Sequence, residues 1–234
     1  MIPPPLPGPF VLNWTVHDMT VRVKICGLST KADVECAISA GADFIGLMFY
    51  PPSPRNVDIE TGARLADMAR GKVAIVAITV DADDALIDDI MRHVKPDYIQ
   101  AHGSETPRRV AEMSARAGKP VLKAIKVKDA ADIQTAALYA EHAGMILFDA
   151  KAPESLSGAL PGGNGLAFDW TLLGGDGARR DFMLSGGLDA DNVARAIEVT
   201  GAPIVDISSG VETAPGKKDC RLIRNFIEAA KAAR

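Results

Sequence analysis

Eight short runs rich in β-branched and other apolar residues recur along this 234-residue chain, beginning at Val21, Asp43, Val73, Asp97, Val121, Met145, Asp181 and Pro203. Successive starts are 22, 30, 24, 24, 24, 36 and 22 residues apart. Parallel neighbours cannot be joined by hairpins and need a crossover of a dozen or more residues, usually a helix. The intervals carry that signal: Val34, Ala37 and Ile38, then Val110, Met113 and Ala117, then Val193 and Ile197 stand at helical spacing. Each interval has room for one helix and none for an inserted domain, and no linker divides the chain. Eight strand-helix units in this length predict a single-domain (β/α)8 barrel over residues 19–234. An open doubly wound sheet is the alternative with the same local pattern. A last helix, roughly 218–230, would close the ring through Leu222, Phe226 and Ala229. Residues 1–18, opening MIPPPLPGPF, have prolines among their apolar residues and no leading basic group. They are expected to be a flexible proline-rich extension, neither signal peptide nor membrane span.

A formal charge of -4 gives no general attraction for nucleic acid or an acidic membrane, so the expected partner is a small molecule. The three cysteines, Cys26, Cys36 and Cys220, are odd in number and lack CxxC spacing. Neither a disulfide framework nor a zinc ribbon is expected from them, and a reducing cytoplasm fits. The four histidines show no motif spacing, so no metal site is expected. The choice between monomer and homodimer leaves no mark on the sequence.

In a barrel of this kind, chemistry sits at the carboxyl ends of the strands. Side chains alternate along a strand, so in VRVKIC the residues Arg22, Lys24 and Cys26 share one face and Val21, Val23 and Ile25 the other. The wholly apolar face should meet the helices, which turns Cys26 inward at the barrel mouth. The same parity turns Gln100, His102, Asp149 and Asp206 inward. On position alone, Cys26 is as well explained by packing as by chemistry, because free cysteines are among the most buried residues. Asp149 ends the apolar run MILF, and a carboxyl there must find partners or keep its proton, in which form it is a usable acid.

Glycine-containing turns follow the last three strands: PGGNG at 161–165, SGG at 185–187 and SSG at 208–210. Glycine lets backbone N–H groups approach a ligand, and barrels often build an anion site after strands seven and eight. Together the three turns point to a phosphorylated ligand. After the second strand, FYPPSPRNV stiffens a loop that carries Arg55, whose planar fork suits a carboxylate or phosphate.

In these segments the chain resembles the phosphoribosylanthranilate isomerases of tryptophan biosynthesis. The matching stretches are VKICGL, FYPPSPRNV, IQAHGSE, the Asp149 strand end, GGNGLAFDW, LSGGLDADNV and DISSGVETAPGKKD, in order from residue 21 to about 219. The resemblance implies an Amadori rearrangement of N-(5′-phosphoribosyl)anthranilate to 1-(2-carboxyphenylamino)-1-deoxyribulose 5-phosphate, without metal or organic cofactor. It implies Cys26 as general base and Asp149 as general acid, with Arg55 holding the anthranilate carboxylate. Gly163, Gly165, Gly186, Gly187, Ser209 and Gly210 would hold the phosphate, and Gln100, His102 and Asp206 would orient the substrate. Asn164 stands where the family's GGTG turn has threonine; asparagine can still donate and accept, so the departure bears on a side-chain contact to phosphate and not on the backbone site. The related isomerase barrel of histidine biosynthesis uses aspartate where this chain has Cys26. A non-catalytic phosphometabolite-binding barrel has no use for Cys26 and Asp149 together.

Overall fold

A computed structural model of the chain describes residues 20–151, 162, 165, 167–174 and 182–233. The extension expected at 1–18 lies outside the described residues. The eight apolar runs form β1 (Arg22–Cys26), β2 (Phe44–Phe49), β3 (Ala74–Thr79), β4 (Tyr98–Ala101), β5 (Val121–Val127), β6 (Met145–Ala150), β7 (Phe182–Leu184) and β8 (Ile204–Ile207). They pair in parallel, in chain order, and β8 returns to β1 to close the barrel.

The crossovers begin with α1 (Lys31–Ala40), α2 (Ile59–Ala69), α3 (Asp84–Asp89) and α4 (Pro107–Ala117). They continue with α5 (Ala130–Gln134) and α6 (Val193–Thr200). Local chemistry sets their ends. Thr30 and Asp33 form a reciprocal capping box that starts α1, and Gly41 in the left-handed region stops it. Between β6 and β7 the expected crossover helix is absent among the described residues, which there include only a 3-10 turn at Trp170–Leu173.

Strand parity sorts the core into two layers. Val23, Ile25, Ile45, Ile75, Phe148 and Val205 face the helices, whereas Phe44, Val76, Ile78, Leu122, Leu147, Met183 and Ile204 fill the barrel with Cys26 among them. Lys24 also points inward and is fully buried. The β1–β8 register sets Lys24 opposite Asp206, and the two form an ion pair of 2.8 Å. A lysine in this position is tolerable only with such a partner.

The last helix, α7 (Cys220–Ala232), closes the ring. Its buried face is Ile223, Phe226, Ile227 and Ala230, not the expected Leu222, Phe226 and Ala229; Leu222 is 36% exposed. The apolar stripe runs one residue further along than the first apolar residue suggested. A second correction concerns the cysteines. Cys36 of α1 and Cys220 of α7 form a disulfide across 184 residues, with Cα atoms 5.8 Å apart. Closure of the ring makes the first and last helices neighbours, a proximity that sequence spacing does not display. After β8 the chain adds a small hairpin, β9 (Glu212–Ala214) and β10 (Lys217–Lys218), which carries two charged groups toward the mouth. Among the described residues, no helix is long and apolar enough to cross a membrane.

Candidate active site

The carboxyl ends of the strands surround one cavity. Cys26, Arg55, His102, Asp149 and Asp206 line it, as do Met48, Tyr50, Ser53 and Val80. Its far side is made by the glycine turns: Gly162 and Gly165 after β6, Ser185, Gly186 and Gly187 after β7, and Ser208, Ser209 and Gly210 after β8. Of the residues expected at the site, Gly163 lies outside the described residues, as does Asn164. Gln100 is buried beneath the cavity without lining it.

Cys26 ends β1, and Asp149 stands near the end of β6, three strands away round the ring. Burial pushes the Cys26 thiol up. The Lys24 ammonium opposes this shift, Asp206 reinforces it, and Lys218 opposes it. Lys24 sits two residues below the thiol on the same inward face. Burial works against its charge, but Asp206 and Cys26 outweigh burial and hold the ammonium above the ordinary lysine range. Asp206 accepts from Lys24 on Oδ1 and from Ser185 Oγ on Oδ2 at 3.3 Å.

Arg55 is buried against the β9–β10 hairpin. Its Nε and Nη2 donate to the two carboxylate oxygens of Glu212, each at 2.8 Å. Glu212 also accepts from Lys218 Nζ at 2.6 Å, and Lys218 donates to Ser208 O and Oγ. Burial pulls the Lys218 ammonium down, with Glu212 and Cys26 opposing. Two cations share one carboxylate here, so the cluster behind Arg55 keeps a positive excess beside the glycine turns. Gly27 explains the approach of Arg55. At φ +75 it adopts a conformation that suits glycine, and a Cβ there would lie 2.6 Å from Arg55 Cδ. The glycine beside the thiol therefore makes room for the arginine stem.

His102 bridges the buried Gln100 to Asp149. Its Nδ1 lies 2.7 Å from Gln100 Nε2, and its Nε2 lies 3.1 Å from Asp149 Oδ2. Asp149 Oδ1 accepts the Ala150 N–H at 3.0 Å. The loop carrying His102 is tied from outside the barrel. Lys123, nearly fully buried on β5, donates to Gly103 O and Glu105 Oε2, each at 2.7 Å, and Glu105 accepts the N–H groups of Asp81 and Gly103. Although burial opposes ionisation of Glu105, Lys123 and these bonds hold its carboxyl below the ordinary range.

Lys24, Lys123, Glu212 and Lys218 were not singled out from the sequence. A signal existed for Lys24, an inward charge one inward step from Cys26. Glu212 and Lys218 lie within the DISSGVETAPGKKD segment, but only the hairpin fold brings them to Arg55.

Comparison with known proteins agrees with this geometry. The family model for N-(5′phosphoribosyl)anthranilate (PRA) isomerase matches residues 23–229. The N-(5′-phosphoribosyl)anthranilate isomerase of Parvibaculum lavamentivorans is 52% identical over 215 residues, covering 92% of this chain and 100% of that protein. The crystal structure of phosphoribosyl anthranilate isomerase from Thermotoga maritima superposes with a TM-score of 0.81 at 36% identity, covering 91% of this chain and 99% of that one. Another crystal structure of the isomerase, in complex with reduced 1-(o-carboxyphenylamino)-1-deoxyribulose 5-phosphate, gives a TM-score of 0.77 at 34% identity over 91% of this chain and 99% of that one. With a model match over nearly the whole barrel and half the residues shared with a relative, this chain belongs to the N-(5′-phosphoribosyl)anthranilate isomerase family.

Proposed function

We propose that this chain performs its family's reaction, the rearrangement of N-(5′-phosphoribosyl)anthranilate to 1-(2-carboxyphenylamino)-1-deoxyribulose 5-phosphate, with Asp149 as general acid and Cys26 as general base. The observation that carries the assignment is the placement of both groups on separate walls of one cavity that ends in three glycine turns. Asp149 gives its proton to the ribose ring oxygen, and the ring opens to an iminium. The positive nitrogen acidifies the C2′ hydrogen, which the Cys26 thiolate removes. The resulting enolamine tautomerises to the ketone. An acid and a base on different residues let one start protonated and the other deprotonated.

Burial disfavours the thiolate, so its formation depends on nearby positive charge. Lys24 and Lys218 supply part of it, and the iminium adds more during the reaction. The excess positive charge of Arg55 and Lys218 over Glu212 suits a ligand bearing a phosphate and a carboxylate. Glu212 fixes the plane of the Arg55 fork, and the arginine is proposed to face the anthranilate carboxylate from that fixed position. The backbone at Gly165, Gly186, Gly187, Ser209 and Gly210 is proposed to hold the phosphate. The test is turnover: purified protein should consume phosphoribosylanthranilate, read as loss of its fluorescence, with no metal added. Absence of turnover above background would remove the proposal.

A further inference from the structure

The proposed acid is connected to a buried amide that the mechanism above does not use. Gln100, His102 and Asp149 form a line of two hydrogen bonds, and all three residues are buried. A carboxamide has a donor end and an acceptor end, while an imidazole nitrogen either donates or accepts, so the amide orientation determines where the ring carries its proton. With Gln100 Nε2 toward Nδ1, as here, Nδ1 must accept. The ring proton then sits on Nε2 and is donated to Asp149 Oδ2, which leaves the aspartate a bare acceptor with no proton to deliver. In this arrangement Gln100 Oε1 is buried and has no hydrogen-bond partner among the described residues. Turning the amide over presents its oxygen to His102 Nδ1 and places the donor end where Oε1 now lies without a partner.

We infer that Gln100 is a positioning residue for the proton on Asp149: with its amide oxygen toward His102 Nδ1, it fixes a proton on Nδ1 and leaves Nε2 to accept the carboxyl proton of Asp149. This is the two-proton form that the reaction consumes, and the arrangement in the structure is the one-proton form. In the productive step the Asp149 O–H bond breaks, a bond forms between that proton and the substrate ring oxygen, and the electron pair stays on the carboxylate. The Nδ1 proton does not move, and the bare Nε2 lone pair then faces the carboxylate, which favours return of a proton to Asp149. The backbone at Gly162 covers the bond that shares this proton: a Cβ there would lie 2.6 Å from His102 Nε2 and 2.9 Å from Asp149 Oδ2. Other ionisable groups face the pair from the neighbouring elements. Cys26, Arg55 and Asp206 share the cavity, and Lys126 stands beside Asp149 in the β5–β6 register. Of these, Cys26, Asp206 and Lys126 make no hydrogen bond to either member.

The inference rests on the reading of Asp149 as the acid, and the tests separate the two. In protein labelled with 15N-histidine, assigned by replacing His17, His93 and His142 one at a time, His102 Nδ1 should be protonated across the pH range of activity. An Nδ1 that stays bare throughout that range would overturn the inference, and this wild-type spectrum decides even if variants at 100 do not fold. Gln100→Leu should lose about tenfold or more in kcat, with KM within about threefold, as expected when proton delivery and not binding is impaired. Gln100→Glu, which can only accept from Nδ1, should recover most of that loss; a folded Glu variant no better than the Leu variant would contradict the acceptor role. If Asp149→Asn is inactive while Gln100→Leu is normal, this inference alone falls. If Asp149→Asn is fully active, the acid assignment falls with it.

Discussion

At the scale of single residues, the thiol of Cys26 is the group whose surroundings compete most. Burial and Asp206 favour its neutral form, and Lys24 and Lys218 favour the thiolate. Because the thiolate is the proposed base, a raised thiol value moves its appearance to higher pH. We therefore expect kcat/KM to rise through neutral pH and to continue past the ordinary thiol value of about 8.5. Replacing Lys24 with Met removes the adjacent cation and leaves Asp206 without its ion-pair partner, and both effects push the same way. The rising limb of the Lys24→Met profile should lie at higher pH than that of the parent, and a limb that stays put or moves down would show that Lys24 does not support the thiolate. The inward direction of Cys26 and Asp149 was legible from alternation along VRVKIC and MILFDA, because one face of each strand is wholly apolar. The balance of charges at the thiol was not, since burial, which raises it most, is joined by Asp206 and opposed by Lys218, and both of these arrive from the opposite end of the chain.

At the scale of elements, the strands were easy to read and the loops much less so. A buried parallel strand is a near-continuous apolar run, and β2 covers the run FIGLMF from end to end. The β9–β10 hairpin carries no comparable run. Its Glu212 and Lys218 gain meaning only when the turn folds back on Arg55, so the ion pair that orients this arginine was invisible. The loop after β6 gives a direct test of how closely an element must fit the site. Gly162→Ala places a methyl against both His102 Nε2 and Asp149 Oδ2 and should separate them. We expect kcat to fall by about tenfold or more with Tm little changed, because the residue is in a loop outside the hydrophobic core. A Gly162→Ala enzyme with normal kcat would show that the His102–Asp149 contact is dispensable.

For the whole molecule, ring closure is the decisive event. It joins β8 to β1 in the register that pairs Lys24 with Asp206, and it brings α7 against α1, where Cys36 meets Cys220. Eight repeats announce a ring, but they do not state which surface groups meet at its seam, which is why the disulfide went unforeseen. A cross-link over so long a loop should stabilise mainly by restricting the unfolded chain. Cys36→Ser is expected to cost about 2–4 kcal/mol, read as a lower urea midpoint, with kcat unchanged. Equal midpoints for the variant and the parent under non-reducing conditions would show that the cross-link does not contribute.

The central claim is that two residues on separate strands divide the proton chemistry. It is tested most directly by the steady-state kcat of Cys26→Ala and Asp149→Asn on phosphoribosylanthranilate, in proteins shown by circular dichroism to be folded. Each should lose at least about two orders of magnitude, the usual contribution of a general acid or base. A folded variant of either kind that turns over at the parent rate would contradict the assignment of that residue.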